Sequence, residues 1–274
     1  MPGQMNLRNR TAVITGAAGG IGRGIAISLS RRGCHLALAD VNEAELARTA
    51  EIVASPGLRI SLHRLDVADR AAVAALPAQV QAQHPGVDIL VNNAGVAIGG
   101  TFDQVSESDF EWLFEINFWG VVRMTRAFMP ALKASDDARL VNLSSVYGII
   151  SPPGQTAYSA SKFAVRGFSN ALRHELASSK VGVTVVHPGG IATSIAKNAR
   201  VPKGVSAEEM ERHLKTAAKL MTLPPETAGE IIVVGVENRK ARVLVGSDAK
   251  MIAIIERFFP ISYMKHIEKL KPRE

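Results

Sequence analysis

TAVITGAAGGIGRGIAISLSRRG, residues 11–33, holds two periodicities joined by a run of glycines. Thr11–Thr15 is short, apolar and without alternation, as expected of a strand covered on both faces. From Gly20 onward Ile21, Ile25 and Leu29 recur four apart, the spacing of one helix face. Between the two patterns Gly16, Gly20 and Gly22 form G-x-x-x-G-x-G. Glycines there let the chain turn tightly, let helix and strand pack closely, and leave backbone N–H groups free to meet an anion at the helix N-terminus. Glycine also closes turns for purely local reasons, so the surroundings decide between the two readings.

The surroundings repeat the strand-then-helix theme. Apolar runs at 35–39, 60–64, 89–92, 139–143, 183–187 and 241–245 alternate with helical spacings at about 20–32, 43–54, 69–83, 109–134, 156–178, 207–221 and 225–237. Seven strands with helices between them predict an α/β fold, a Rossmann-type doubly wound parallel seven-stranded sheet. Pro130 falls inside the 109–134 pattern and is expected to kink or shorten that helix. Residues 1–246 read as one domain and 247–274 as a C-terminal helical extension, with Gly246 as a stop and Asp248 within a new N-cap.

Composition agrees with a globular chain: 274 residues, 47% hydrophobic and 21% charged, with 23 glycines and no low-complexity tract. The polar first ten residues and the short apolar run after them predict neither a signal peptide nor a membrane span, and the cytoplasm is the expected compartment. Cys34, the single cysteine, excludes an intrachain disulfide and reads as a small core residue. A net charge of +7 is distributed among interleaved acids, which argues against nucleic acid and fits attraction of an anionic small molecule.

Asp40 closes the second strand 18 residues past Gly22. A carboxylate there accepts hydrogen bonds from the ribose hydroxyls of a dinucleotide, although capping of the next helix is a competing role. The same charge favours NAD over NADP, because a 2′-phosphate beside it meets repulsion of about 1 kcal/mol in water and about 4 in a partly shielded site. No cation stands at Ala17, Ala18, Gly19 or Val41 to offset it. Asp66 ends the third strand and is placed to receive the adenine amine, with a helix cap again the alternative. Val67 follows it, and Ile21 joins the glycines. Asn93, Ala94 and Gly95 end the fourth strand where strand order reverses, the place at which such sheets bind ligands.

Tyr158 and Lys162 lie four apart at the start of a helix and so share a face. A free phenol has a pKa of about 10, and a neighbouring cation lowers an acid by about 1–3 units, so Lys162 is expected to bring Tyr158 toward use as an acid/base. Ser145 ends the fifth strand 13 residues earlier and is placed to hydrogen-bond a reacting oxygen. Asn117 is placed to link Lys162 to solvent through water. Each residue has an ordinary structural alternative; together they describe removal of a hydroxyl proton while a hydride leaves carbon. The reading requires no metal.

In order, TGAAGGIG, NNAG, NLSS, YSASK and HPGGIAT resemble the short-chain dehydrogenase/reductase family over about residues 8–246. The resemblance implies a catalytic tetrad of Asn117, Ser145, Tyr158 and Lys162, with Lys162 also on the nicotinamide ribose. It implies Pro188, Gly189, Ile191 and Thr193 beside the nicotinamide, and a homo-oligomer, dimer or tetramer, built on the helices that carry Asn117 and Tyr158. The small residues Ala157, Ser159, Ala160, Ser161 and Ala164 suit close approach of that helix to a neighbour.

The substrate wall is expected from residues 192–224 together with Val146, Tyr147, Ile149 and Ile150, whose apolar character favours a small-molecule apolar alcohol or ketone over a sugar or carboxylate. The extension carries eight large apolar residues between 251 and 264, too many for a solvated tail. It is expected to pack on its own domain or on a partner subunit, where it would block the edge contact of a tetramer. Contact with a membrane surface is the less favoured reading, because its charges are mixed in sign.

Overall fold

The computed structural model describes residues 3–269. Seven strands, β1 (Thr11–Thr15), β2 (His35–Asp40), β3 (Ile60–Arg64), β4 (Ile89–Asn92), β5 (Ala138–Leu143), β6 (Val181–Pro188) and β7 (Arg242–Val245), form one sheet. All six pairings are parallel and the spatial order is β3-β2-β1-β4-β5-β6-β7. The chain winds outward first to β3 and then back past β1 to β4, so the strand order reverses between β1 and β4. The C-terminal ends of these two strands therefore border a crevice with no crossover above it.

Helices cover both faces: α1 (Gly20–Arg31), α2 (Glu43–Val53), α3 (Arg70–Gln81), α4 (Glu107–Phe114), α5 (Gly120–Ala134), α6 (Thr156–Glu175), α7 (Ala207–Leu220) and α8 (Pro225–Glu237). Alternate residues of β1 enter separate cores. Ile14 joins Ile25, Leu36 and Ile232 under α1 and α8, and Val13 joins Leu76, Leu90 and Phe128 under α3 and α5. Burial on both faces explains why β1 reads as an unbroken apolar run. The α1–α8 contact is made by backbone: a Cβ on Gly24 would lie 2.2 Å from the Pro225 carbonyl oxygen.

The predicted 109–134 helix is broken, and Pro130 is not where it breaks. Pro130 sits inside α5, which continues to Ala134. The interruption is a π-helical turn over Glu115–Trp119, closed by a bond from the Gly120 N–H to the Glu115 carbonyl. Such a single wide turn inserts one residue into the helix and re-aims the side chain it carries. Here that residue set includes the buried Asn117.

Two more helices, α9 (Ser247–Phe258) and α10 (Tyr263–Lys269), follow β7. Gly246 is the N-cap of α9 and makes no side-chain cap bond, so Asp248 is not used as a cap. The extension touches the domain through buried Ala249 and through Tyr263, whose hydroxyl accepts a bond from the Ser151 N–H at 3.1 Å. The apolar tail is only partly covered. Met251, Ile254 and Phe258 recur at three and four residues on one exposed face, followed by exposed Phe259 and Ile261. Among the described residues no helix is long and apolar enough to cross a membrane.

Candidate active site

The glycine turn leaves β1 and enters α1 with no room for a side chain at Gly16 or Gly22. Gly16 has a φ of +66°, in the left-handed region, and a Cβ on Gly22 would stand 2.1 Å from the Gly16 carbonyl oxygen. Asn93 locks this turn to β4: its Nδ2 donates to the carbonyls of Thr15 at 2.9 Å and Gly16 at 3.0 Å. The Thr15 hydroxyl accepts the N–H groups of Asn93 and Ala94, both at 3.0 Å. Thr15 was not among the residues singled out from sequence, since a strand-end threonine is common and its partners lie 78 residues away.

Asp40 reaches back to the same turn. One oxygen accepts the Ala18 N–H and the other the Asn42 N–H, each at 3.0 Å. The cap of α2 is Asn42, so the capping alternative for Asp40 falls away. Two backbone bonds leave a carboxylate with lone pairs for further donors. The cation nearest this turn, Arg23, is already engaged with Glu45 at 2.8 Å, Thr49 at 2.8 Å and the Ala18 carbonyl. Asp66 lies beyond β3, exposed, and accepts the Ala68 N–H at 2.9 Å. Asp69 caps α3. Val67 is buried against Gly120. At the other rim, Thr193 stands over the turn, its Cγ2 3.1 Å from where a Gly20 Cβ would be.

Tyr158, Lys162 and Asn117, expected from sequence to handle protons, lie close together. Lys162 Nζ lies 5.6 Å from the centroid of the Tyr158 ring and donates to the Leu143 carbonyl at 3.2 Å. A Cβ on Gly95 would be 3.5 Å from Lys162 Nζ and 3.2 Å from Asn117 Oδ1, so these two polar groups converge on one glycine. The Asn117 amide is engaged on both sides by the Val96 peptide, accepting its N–H at 2.9 Å and donating to its carbonyl at 3.0 Å. Its side chain thus holds the Asn93–Gly95 loop against the π turn.

A second layer, largely unread from sequence, aims the first. Ser161 Oγ donates to the Tyr158 carbonyl at 2.8 Å, and Ser144 Oγ donates to the Lys162 carbonyl at 2.9 Å. The fully buried His187 bonds the Ser145 carbonyl at 2.9 Å through Nδ1, which must carry the proton there because a carbonyl only accepts. These residues all lie inside the quoted motifs. Of the small residues of α6, Ala157, Ser159 and Ser161 are buried in their own domain and Ala160 is exposed.

A family model for short chain dehydrogenases matches residues 10–203. The chain belongs to the short-chain dehydrogenase/reductase family. It is 43% identical over 262 residues to SadH of Mycobacterium tuberculosis, covering 95% of this chain and 94% of that one. The oxidoreductase UcpA of Salmonella typhimurium is 37% identical across 79% of this chain and 82% of its own. A family member from Burkholderia phymatum, solved in complex with NAD, superposes with a TM-score of 0.85 at 27% identity over 98% of both chains.

In this short-chain dehydrogenase, burial dominates the electrostatics of the pair. The Tyr158 phenol is pushed up to about 12 by burial, with the Ser145 hydroxyl pulling it back and the neighbouring Tyr147 phenol adding to the rise. Burial lowers the Lys162 ammonium to about 8. The expectation that the cation brings the phenol down is therefore reversed. Burial from water penalises tyrosinate and ammonium alike. Cys34 lies fully buried and its thiol is pushed up, as for an inert core residue.

The surroundings of Tyr158 are apolar. Ile98, Leu113 and Ala157 form a buried cluster on which Val96, Phe110, Phe114 and Tyr158 pack. The segment after β6 crosses this wall and is fastened by Arg200. Its guanidinium lies 3.7 Å from the Trp112 ring centroid and pairs with Asp109 at 2.8 Å, while its N–H donates to Ala97 at 3.0 Å. Along α7, Met210, Leu214 and Ala217 are half-buried, and none of its described side chains is fully buried.

Proposed function

We propose that this oxidoreductase transfers a hydride between NAD(H) and an apolar secondary alcohol or ketone. The carrying observation is the convergence of Lys162 and Asn117 on Gly95, with the Tyr158 ring 5.6 Å from Lys162 Nζ, two residues along from the Asn93 that fixes the glycine turn. The turn suits a pyrophosphate because Gly16 and Gly22 let the chain fold tightly on itself and on Asn93 at the N-terminus of α1, and Asp40 retains acceptor capacity for ribose hydroxyls. On this reading Ile21, Val67 and Ala94 would border the cofactor, and the exposed Asp66 would receive the base amine. Pro188, Gly189, Ile191 and Thr193 would face the nicotinamide, which supplies the hydride-carrying carbon.

Tyr158 gives its phenolic proton to the carbonyl oxygen in reduction and takes it from the alcohol in oxidation. Ser145 donates a hydrogen bond to that oxygen, its loop steadied by His187. The Lys162 ammonium stabilises negative charge arising on the phenol oxygen and holds ribose hydroxyls. Val96, Ile98, Phe110 and Phe114 favour an apolar body on the substrate. NAD is favoured over NADP because the Asp40 carboxylate repels a 2′-phosphate and Arg23 is committed to Glu45, while Arg64, the register partner of Asp40 on β3, lies 3.9 Å from Glu43. The NAD held by the Burkholderia phymatum relative supports the choice.

The test is a panel of apolar alcohols and ketones with wild type and Tyr158→Phe. The variant should bind NADH normally and lose at least about a hundredfold in kcat, the usual contribution of a positioned acid or base. Full turnover by Tyr158→Phe would remove the phenol from the reaction. The exposed Trp119 and Phe163, on the helical segments that also carry Asn117 and Tyr158, support a homo-oligomer, to be read by light scattering. The exposed face of Met251, Ile254, Phe258 and Ile261 favours a second reading, contact with a membrane surface. Flotation with anionic vesicles checks it: recovery in the pellet alone argues against it.

A further inference from the structure

The polypeptide after β7 contributes a side chain to the loop that would face the nicotinamide. Asp248, in the first turn of α9, lies outside residues 10–203 matched by the family model. Its Oδ2 accepts the Gly190 N–H at 2.6 Å. The carboxylate fills space that only glycines leave open: a Cβ on Gly189 would stand 2.2 Å from Oδ2, and one on Gly246 would stand 2.3 Å from Oδ1. Gly246 also has a φ of +104°, so the chain enters α9 through a conformation that favours glycine and turns Asp248 back over the loop.

The Gly190 peptide is a junction. On one side its N–H is held by Asp248; on the other its carbonyl accepts the N–H groups of Thr222 and Leu223, both at 3.1 Å. Close to it, Ile191 is buried and bridges to Leu223, and Thr193 reaches the glycine turn at Gly20. A Cβ on Gly190 would lie 2.0 Å from the Leu220 carbonyl oxygen, so the end of α7 also presses on this peptide. One carboxylate thereby holds the N–H of the residue whose carbonyl, in the next peptide, anchors Thr222 and Leu223 at the end of the segment after β6.

We infer that Asp248 is a positioning residue of the active site: by holding the Gly190 N–H it fixes the Pro188–Thr193 loop for the cofactor and the Thr222–Leu223 end of the flap for the substrate. The inference rests on the nicotinamide reading above for the identity of its ligand. A charge-assisted bond to a backbone N–H is short and roughly twice as strong as a neutral one, which is consistent with the 2.6 Å separation.

The experiment compares wild type with Asp248→Ala, Asp248→Asn and Lys250→Ala, the last an exposed neighbour on the same helix. NADH affinity is read by fluorescence titration, and backbone exchange of residues 188–194 and 220–224 by hydrogen–deuterium exchange of the ligand-free protein. Asp248→Ala should weaken NADH about tenfold, raise KM for the substrate more than it lowers kcat, and speed exchange in both segments together. Asp248→Asn keeps an oxygen acceptor for the Gly190 N–H and should return the affinity to within about threefold. Lys250→Ala should change nothing.

Unchanged affinity and exchange in a folded Asp248→Ala overturn the inference. So does a loss that Asp248→Asn fails to rescue, which would make Asp248 a fold contact alone. If Asp248→Ala does not fold, Asp248→Glu displaces the carboxylate by one methylene while keeping its charge; native NADH affinity in that variant is equally fatal. Failure of wild type to bind NADH would instead sink the nicotinamide reading, and the exchange measurement would still decide the role of Asp248.

Discussion

Replacing Asp40 by asparagine separates its charge from its place in the fold. Wild-type Asp40 accepts two backbone N–H groups, from Ala18 and Asn42. Asparagine keeps one oxygen acceptor and turns an NH2 group toward the other N–H. Ala18 is buried, so loss of its acceptor costs about 1–3 kcal/mol. For a chain of this size that lowers Tm by about 2–4 °C per kcal/mol. The electrostatic effect acts on a different observable. Removing the carboxylate charge lifts a repulsion on a 2′-phosphate of about 1 kcal/mol if solvated and about 4 if partly shielded. At about 1.4 kcal/mol per tenfold, the ratio of NADPH to NADH dissociation constants should fall by between about fivefold and several hundredfold. Arg23 cannot take over the phosphate without leaving Glu45, which limits the gain. Fluorescence titrations with both dinucleotides, set beside thermal unfolding, read the two effects independently. A fallen Tm with an unchanged ratio would mean that Asp40 ties the turn to α2 and has no part in cofactor choice.

Three further outcomes follow from the same geometry. With the Lys162 ammonium lowered to about 8, kcat/KM for ketone reduction should fall as pH rises through about 8, since the charged form is lost there; a flat profile from pH 7 to 9 would contradict this. Burial lowers His84 and His187 to about 4 and lowers His63 as well. An unfolded histidine takes its proton near 6.5, so the stability these rings contribute is complete above that pH and is lost as pH falls toward 4. The loss should reach about 2 kcal/mol per histidine for His84 and His187 between pH 7.5 and 5, read from urea unfolding; an unchanged midpoint would show that they remain hydrated. Arg200→Ala removes a stacked cation and a partly exposed ion pair of about 0.5–1 kcal/mol each, so KM should rise by up to about fivefold to thirtyfold at constant kcat, with faster proteolysis of residues 194–204. Equal KM and equal cleavage would mean that Arg200 does not fasten the flap.

The features legible in the sequence were those that a local pattern specifies. β1, the glycine turn and α1 follow from periodicity because two-sided burial, missing Cβ atoms and one apolar helix face each leave a mark within a few residues. Tyr158 and Lys162 were legible because helix geometry alone puts them on one face. Contacts between distant segments were not. The π turn at Glu115–Trp119 has no periodic signature, since it alters one turn and leaves the spacing on either side intact. His187 lay inside a quoted motif, yet its bond to the Ser145 carbonyl depends on how β6 lies against the end of β5. Asp248 read as a helix cap because aspartate after glycine has that local meaning; its actual partner lies 58 residues back along the chain.

The pair at the centre of the site shows why residue type and spacing stop short of mechanism. Spacing gives a phenol near an ammonium, and simple Coulombic reasoning then lowers the phenol. Burial opposes both charges, so in the ligand-free chain Tyr158 is a neutral acid and Lys162 has little margin above physiological pH. That state is prepared to donate a proton, as carbonyl reduction requires, and not to accept one from an alcohol. Oxidation needs something that stabilises the tyrosinate beyond what Lys162 provides alone. Within this site the available groups are the Ser145 hydroxyl, which already pulls the phenol down, and whatever positive charge the bound dinucleotide brings to the crevice. On the function proposed above, the balance between reduction and oxidation would shift with the charge of the bound cofactor as well as with pH.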